Sequence, residues 1–360
     1  MVNREAKRAK KEWLENKCSE IENCLVRGLS DKAYKIIKQF FGAYKSGAKV
    51  LRDKDGNMVL EDREKILVWK EYIEELYKIG NTDKRYRPPE VENGNFDSIG
   101  PTIMIEEIEL AIKELKRNKA PGIDNLNDEL LIALEGTGKE AMCNIIINTY
   151  ETGELPKDFE KYVMIHIPKK QKAEKCEKYR TLSLISHASK ILTKIVHKRI
   201  EKKIKDILTE DQFRFRKNRG TKEAILCLRL IIEKMFRINK PISITFVDLE
   251  KAFDNVRWEK LFHIMDKIGI DFKDKRLIHK LYINEKAVIK GEYDTYEEAK
   301  VQKGVRQGCN LSPALFNLYI EEALKDLREE EVGGIKIGGM LVQMLRFADD
   351  IAMIADSEKI

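Results

Sequence analysis

The pattern of apolar and polar positions changes character along the chain. Up to about residue 50 the apolar positions are sparse and helically spaced, as in "EAKRAKKEWLENKCSEIENCL" and "SDKAYKIIKQFFG", which predicts helices. Asp55-Gly56 then marks a hairpin between two short apolar runs. Ile66, Leu67, Trp69, Tyr72, Ile73 and Leu76 predict an amphipathic helix. Residues 79–100 lack periodicity and are rich in Gly, Asn and Pro, the composition of a linker. Beyond them, "IEEIELAIKELKRN" and residues 127–150 predict two helices, "KYVMIHIPKK" a strand, and residues 187–207 and 221–238 two basic helices. The last third mixes periods. "PISITFVDL" reads as a strand, "VRWEKLFHIMDKIG" as a helix and "KAVIKGEYDTYEEAKVQKG" as a β-hairpin. A helix opens with Ser312 at the N-cap and Pro313 at N1, and strands return in "GGIKIGGMLVQMLRFADDIAMIA". Irregular alternation with antiparallel turns predicts an α+β fold.

Composition narrows this picture. The 360 residues are 42% apolar and 36% charged, and no run approaches the roughly 18 apolar residues of a membrane span. The N-terminus is basic but lacks the apolar region of a secretory signal. Six scattered cysteines without a CxxC argue against a disulfide framework or zinc site and for a reduced, intracellular compartment. Charge is unevenly spread: residues 161–240 hold 23 Lys+Arg against 8 Asp+Glu, whereas residues 53–160 hold 14 against 25. An excess of that size is the footprint of a polyanion-binding surface.

Candidate chemistry begins with Asp349-Asp350, set at a turn between two apolar strands. Alone, the pair reads as an exposed turn. Asp248 changes that, because it ends an apolar strand and supplies a third carboxylate to the same neighbourhood. Three acids at strand ends are what a two-metal phosphoryl-transfer site requires. Asp254, six residues on, competes for the role but reads as a helix-start residue. In "KGVRQGCNLSP", Gly304 and Gly308 permit close backbone approach, and Gln307 offers a donor and an acceptor.

Taken in order, "NKAPGIDNLNDELL", "TGELPKDFEKYVMIHIPKK", "YRTLSLISHASKILTKIVHKRI", "DQFRFRKNRGTKEAI", "FVDLEKAFDNV", "GVRQGCNLSPALFNLYI" and "FADD" resemble the reverse transcriptases of non-LTR (LINE-type) retrotransposons. The resemblance runs from about residue 50 onward. It implies an RNA-directed DNA polymerase of right-hand form, with an N-terminal helical region over 1–80, a linker over 81–100, fingers over 101–240 and palm over 241–360. It implies Asp248, Asp349 and Asp350 as ligands of two Mg²⁺ ions, or Mn²⁺ in their place, with the Leu249 carbonyl as a further ligand. Phe253 takes the place of the bulky residue beneath the incoming sugar, and Gln307 faces the nucleotide and template. Lys169 and Arg180 match residues that grip the triphosphate. The implied partners are an RNA template, a DNA primer and dNTPs, with no membrane, in a nuclear or cytoplasmic setting.

Two positions depart from the family pattern. Thr181 stands where Pro is usual, and Arg214 where Gly is usual, which costs stability or binding if that Gly supplies a positive φ. The family's polymerases also continue past the Asp-Asp hairpin with further strands and a thumb. The expectation is therefore a truncated piece, with a catalytically inactive remnant that binds nucleic acid as the alternative reading.

Overall fold

The computed structural model describes residues 2–26, 36–37, 50–80, 100–170, 172–291, 295–330 and 333–356. The chain divides into two compact units, Met1–Val50 and Leu51–Ile360. In the first, helix α1 (Val2–Val26) follows the predicted helical pattern. The expected helix over "SDKAYKIIKQFFG" and the expected linker lie almost wholly outside the described residues.

The second unit opens with the hairpin β1 (Leu51–Arg52) and β2 (Met58–Val59), turned at Asp55-Gly56 as predicted. Asp53 closes that turn by accepting the Asp55 and Asn57 amides. Helix α2 (Asp62–Leu76) buries Ile66, Trp69 and Ile73, the predicted stripe. Helix α3 (Ile105–Lys113) is shorter than its pattern. The helix predicted over 127–150 is two: α4 (Asp128–Ile132) and α5 (Gly136–Thr152). Ala133, Leu134 and Glu135 break the run between them, and Gly136 opens the second at φ +51°, a left-handed conformation that glycine adopts without strain.

The short helix α6 (Lys157–Glu160) leads into β3 (Lys161–Pro168), and β4 (Tyr179–Ile185) pairs back along it. Helix α7 (His187–Lys205) is capped by the Ser186 hydroxyl, which accepts the Ser189 amide at 3.2 Å. Helix α8 (Thr221–Arg237) precedes β5 (Ser243–Asp248). Then come α9 (Trp258–Lys267), α10 (Phe272–Ile283), β6 (Lys286–Lys290) and β7 (Tyr296–Lys300). Helix α11 (Ser312–Ala323) starts one residue earlier than expected. Ser312 is its first helical residue rather than its cap, because Leu311 already has right-handed backbone angles. Pro313 still fits the first turn, where a missing N–H costs nothing. After α12 (Lys325–Glu329) the chain ends in β8 (Ile335–Ile337), β9 (Met340–Val342), β10 (Met344–Phe347) and β11 (Asp350–Ala355).

Helix and sheet are mixed, as the α+β expectation holds. One sheet has the order β4-β3-β6-β7, with β3 and β6 parallel, and a second has the order β10-β11-β5, all antiparallel. The main core runs through the first sheet and helices α2 to α7 and α9 to α11, with Ile146, Ile191, Leu192, Leu277, Ile289 and Leu315 among its fully buried members. A smaller core of Phe213, Ile231, Met235, Ile335, Leu345 and Ile354 joins α8 to the second sheet.

The basic stretch divides in use. Arg199 of α7 donates to Glu107, and Lys194 and Lys198 to Glu114, so part of the cationic excess fastens α7 to the acidic segment before it. Those residues are neither free solvated faces nor a polyanion surface.

Candidate active site

The acid-bearing residues sit where three backbone features meet. Strand β5 ends at Asp248, and in the antiparallel register Asp350 lies directly opposite it. Phe347 in turn lies opposite Asp350. Directly opposed residues of antiparallel strands have Cα atoms about 4.5–5.5 Å apart and side chains on one face. Asp349 occupies the turn between β10 and β11, which Ala348 makes possible at φ +62°. Asp248 and Asp350 are exposed and Asp349 half-buried.

Their charges are coupled. Burial, then the negative charges of Asp349 and Asp248, raise the Asp350 carboxyl above its usual range, and the Arg214 guanidinium draws it partly back. Among the described residues no three His, Cys, Asp or Glu side chains converge on one point.

A cavity of about 670 Å³ opens beside them. Its walls include Asp248, Leu249, Asp349 and Asp350, with Lys169 and Arg180 from the ends of β3 and β4. Phe253 and Gln307 line it too, so every residue expected to meet a metal ion or the nucleotide borders this one space. Phe253 is stacked on Phe316 at 4.2 Å between ring centroids and meets Phe215 edge-on at 6.3 Å.

Asp254 is not a fourth acid of the group. It lies in a 3₁₀ turn (Ala252–Asn255), buried, where its Oδ1 accepts hydrogen bonds from Tyr77 Oη at 2.7 Å and Gln307 Nε2 at 3.3 Å. Burial raises its carboxyl, and those two donors lower it. Its place is to hold Gln307 facing the cavity. The loop that carries Gln307 is wedged tightly. The Gly304 amide donates to Val256 and the Val305 amide to Phe253, while the Gln307 carbonyl accepts from Ser183 of β4. A Cβ at Gly304 would come 2.9 Å from the Asp254 carbonyl oxygen, and one at Gly308 2.7 Å from that of Ser183. Both glycines also have positive φ, so the close approach expected of them is real.

The two departures are accommodated. Thr181 lies inside β4, an edge strand where Pro is tolerated, opposite His166 of β3. Arg214 does not have positive φ; that strain falls on Phe215, at +60°. The expected penalty at position 214 is thus not a backbone one.

Sequence reasoning missed Tyr72, Leu76 and Tyr77. Tyr72 and Leu76 line the cavity, and Tyr77 anchors Asp254. They were assigned to a region ending at residue 80, whereas the compact unit begins at Leu51. Nothing in their local pattern distinguishes them from ordinary core-facing helix residues. Gln212 was missed as well. Fully buried, its Oε1 accepts both the Arg214 and the Ala348 amides, tying the "QFRFR" stretch to the acid-bearing turn.

The sequence pattern of the family described as reverse transcriptase (RNA-dependent DNA polymerase) matches residues 167–360, more than half of the chain. The chain belongs to the reverse transcriptase family. Its relatives are mobile-element proteins, which agrees with the non-LTR resemblance. A 149 kDa protein of transposon TX1 from Xenopus laevis is 25% identical over 268 residues, covering 74% of this chain and 20% of that protein. The Pol polyprotein of a type-1 retrotransposable element R2 from Popillia japonica is 27% identical, covering 70% and 35%. A probable RNA-directed DNA polymerase from transposon BS of Drosophila melanogaster is 30% identical, covering 60% and 24%. This reverse transcriptase chain therefore spans about a fifth to a third of the length of these relatives. Among solved structures, apo telomerase from Candida tropicalis aligns with a TM-score of 0.42 at 14% identity, over 61% of this chain and 50% of that one, a likeness too slight to inform the site. No helix among the described residues is long and apolar enough to cross a membrane.

Proposed function

We propose that this chain is the polymerase portion of a non-LTR retrotransposon reverse transcriptase, extending a DNA primer with dNTPs on an RNA template. Residues 101–240 would form its fingers and 241–360 its palm. One observation carries the reading: two acids from a hairpin and one from the facing strand share a cavity with Lys169, Arg180, Phe253 and Gln307.

The donor set fits a divalent cation. Three carboxylates are hard oxygen ligands of the kind Mg²⁺ prefers, and the Asp350 carboxyl is raised first by burial and then by the negative charges of Asp349 and Asp248, which a bound cation would offset. Asp248, Asp349 and Asp350, with the Leu249 carbonyl, would hold Mg²⁺ or Mn²⁺. Bound cations would lower the barrier by activating the primer hydroxyl and offsetting charge on the departing pyrophosphate. Lys169 and Arg180 would bind the triphosphate as charge-assisted donors. Phe253, braced by Phe316, would crowd a ribose 2′-OH and so favour deoxynucleotides. Gln307, held by Asp254, would orient the incoming nucleotide against the template.

Primer extension on an RNA template tests the proposal. Asp349→Asn should lower the rate by more than about 100-fold, since losing an outer-shell partner alone typically costs roughly 10–100-fold. Equal rates from both proteins would sink it. Salt-sensitive RNA binding without extension, unchanged in Asp349→Asn, would favour the non-catalytic alternative.

A further inference from the structure

Arg214 lines the cavity beside the acids. Its backbone is pinned on both sides: its amide donates to Gln212 Oε1 at 3.0 Å, and its carbonyl accepts from Asn317 Nδ2 at 3.3 Å. Its guanidinium carbon lies 4.9 Å from the ring centroid of Phe215 and 4.9 Å from that of Phe347. Phe347 is the cross-strand partner of Asp350, and Asp350 that of Asp248, so all three side chains stand on the face that Arg214 covers. Arg214 also lines the cavity with the three acids. The other arginines of the stretch point their charge elsewhere, Arg216 and Arg219 at Glu210. Stacking between two rings holds a guanidinium in place without a carboxylate of its own, which leaves its charge to act on Asp350.

We propose that Arg214 is a built-in counter-cation of the acidic site, one that partly offsets the charge of Asp248, Asp349 and Asp350 and so weakens their hold on divalent cations. The proposal rests on the reading that these acids bind such cations. A fixed positive charge lining the same cavity repels an arriving divalent ion, and in a half-solvated setting this is worth on the order of tenfold in affinity. The site would then fill only at a higher cation concentration than the same acids would need alone. The offset also eases the repulsion between Asp248 and Asp350, which face each other across the strands, and Asp349 in the adjoining turn.

Mn²⁺ binding followed by electron paramagnetic resonance tests this without reference to catalysis. The proteins are the full chain, Arg214→Gln, Arg214→Gly, Arg214→Lys and Asp349→Asn, each checked for a cooperative thermal melt. Both uncharged variants should bind Mn²⁺ about tenfold tighter, with the gain shrinking at high salt. Arg214→Lys, which keeps the charge, should stay within about twofold of the parent chain. Asp349→Asn should lose the site. If Asp349→Asn loses it but neither uncharged variant binds tighter, the counter-cation role is overturned while the acid site stands. Equal tightening in Arg214→Lys also overturns it, because shape rather than charge would then be responsible. If Asp349→Asn binds Mn²⁺ as the parent does, the cation reading fails and this inference with it.

Discussion

In the β4-β3-β6-β7 sheet, Tyr162, Met164, Ala287 and Ile289 lie deep in the main core, whereas in the β10-β11-β5 sheet Phe246 is 73% exposed on a strand just as apolar in sequence. The first sheet is fixed by burial, which is strong but non-directional. The second is fastened along one edge by directional polar bonds. Arg346 of β10 is wholly buried, and its Nη2 donates to Thr209 Oγ1 at 3.0 Å, Asp211 Oδ1 at 2.7 Å and Glu321 Oε2 at 2.6 Å. The Arg346 amide donates to the Asp211 carbonyl, and Gln212 holds the turn above it. The contrast has a chemical reason. Three clustered carboxylates cannot be sealed in an apolar core without a large desolvation cost. A sheet that carries them stays open on one face, and its position must be set by other means. Directional hydrogen bonds and ion pairs specify one arrangement more sharply than apolar contact does.

The contrast can be broken by experiment. The largest effect belongs to Arg346→Ala, which leaves Asp211 and Glu321 without their buried partner and should cost about 3–5 kcal/mol in urea unfolding. A loss below about 1 kcal/mol would mean that the network does not fasten the second sheet. Ile289→Ala, in the buried sheet, should cost about 2–5 kcal/mol by the same measurement.

A pH effect belongs to the helices of the main core. Buried Asp274, which accepts a hydrogen bond from Tyr150 Oη at 2.9 Å, is pushed up to about 6, chiefly by burial. The protonated form therefore favours the fold. This contribution is complete below about pH 4 and is lost as pH rises through about 6. Asp274→Asn cannot ionise. Between about pH 4 and 7 the parent chain should lose up to about 3 kcal/mol more stability than this variant. Parallel pH profiles would refute the assignment. The smallest effect is expected at Phe246→Ala, within about 0.5 kcal/mol, as for other surface positions. A cost like that of Ile289→Ala would show that β5 is held by burial after all.

Legibility in the sequence follows the same division. Helices with wide apolar stripes, such as α2, α7 and α9, stand close to where periodicity puts them. Strand β4 does not, for a reason that can be named. Its buried side carries Tyr179, Thr181, Ser183 and Ile185, while Leu182 and Leu184 are only partly buried, so alternation points to the wrong face. Helix α10 went unassigned because Asp274, Lys275 and His279 are buried in it and blur the stripe. The acids and Gln307 stand out through the local chemistry of short motifs, whereas Phe253, Lys169 and Arg180 stand out only through the family resemblance; all of them line the same cavity. Tyr77, Gln212 and Arg346 act through partners 177, 136 and 135 residues away, and no local window contains such a pair.

By itself, then, the sequence determined which residues can do chemistry here, because side-chain type and the order of short motifs are properties of the chain. It also determined the mixed helix-and-strand class, through periodicity. Only the tertiary structure decided that β5 and β11 would set Asp248 opposite Asp350, that Asp254 would serve Gln307 rather than join the acids, and that Arg214 would stand over their face. Those outcomes depend on register and on bonds between distant segments, which form only when the whole unit packs.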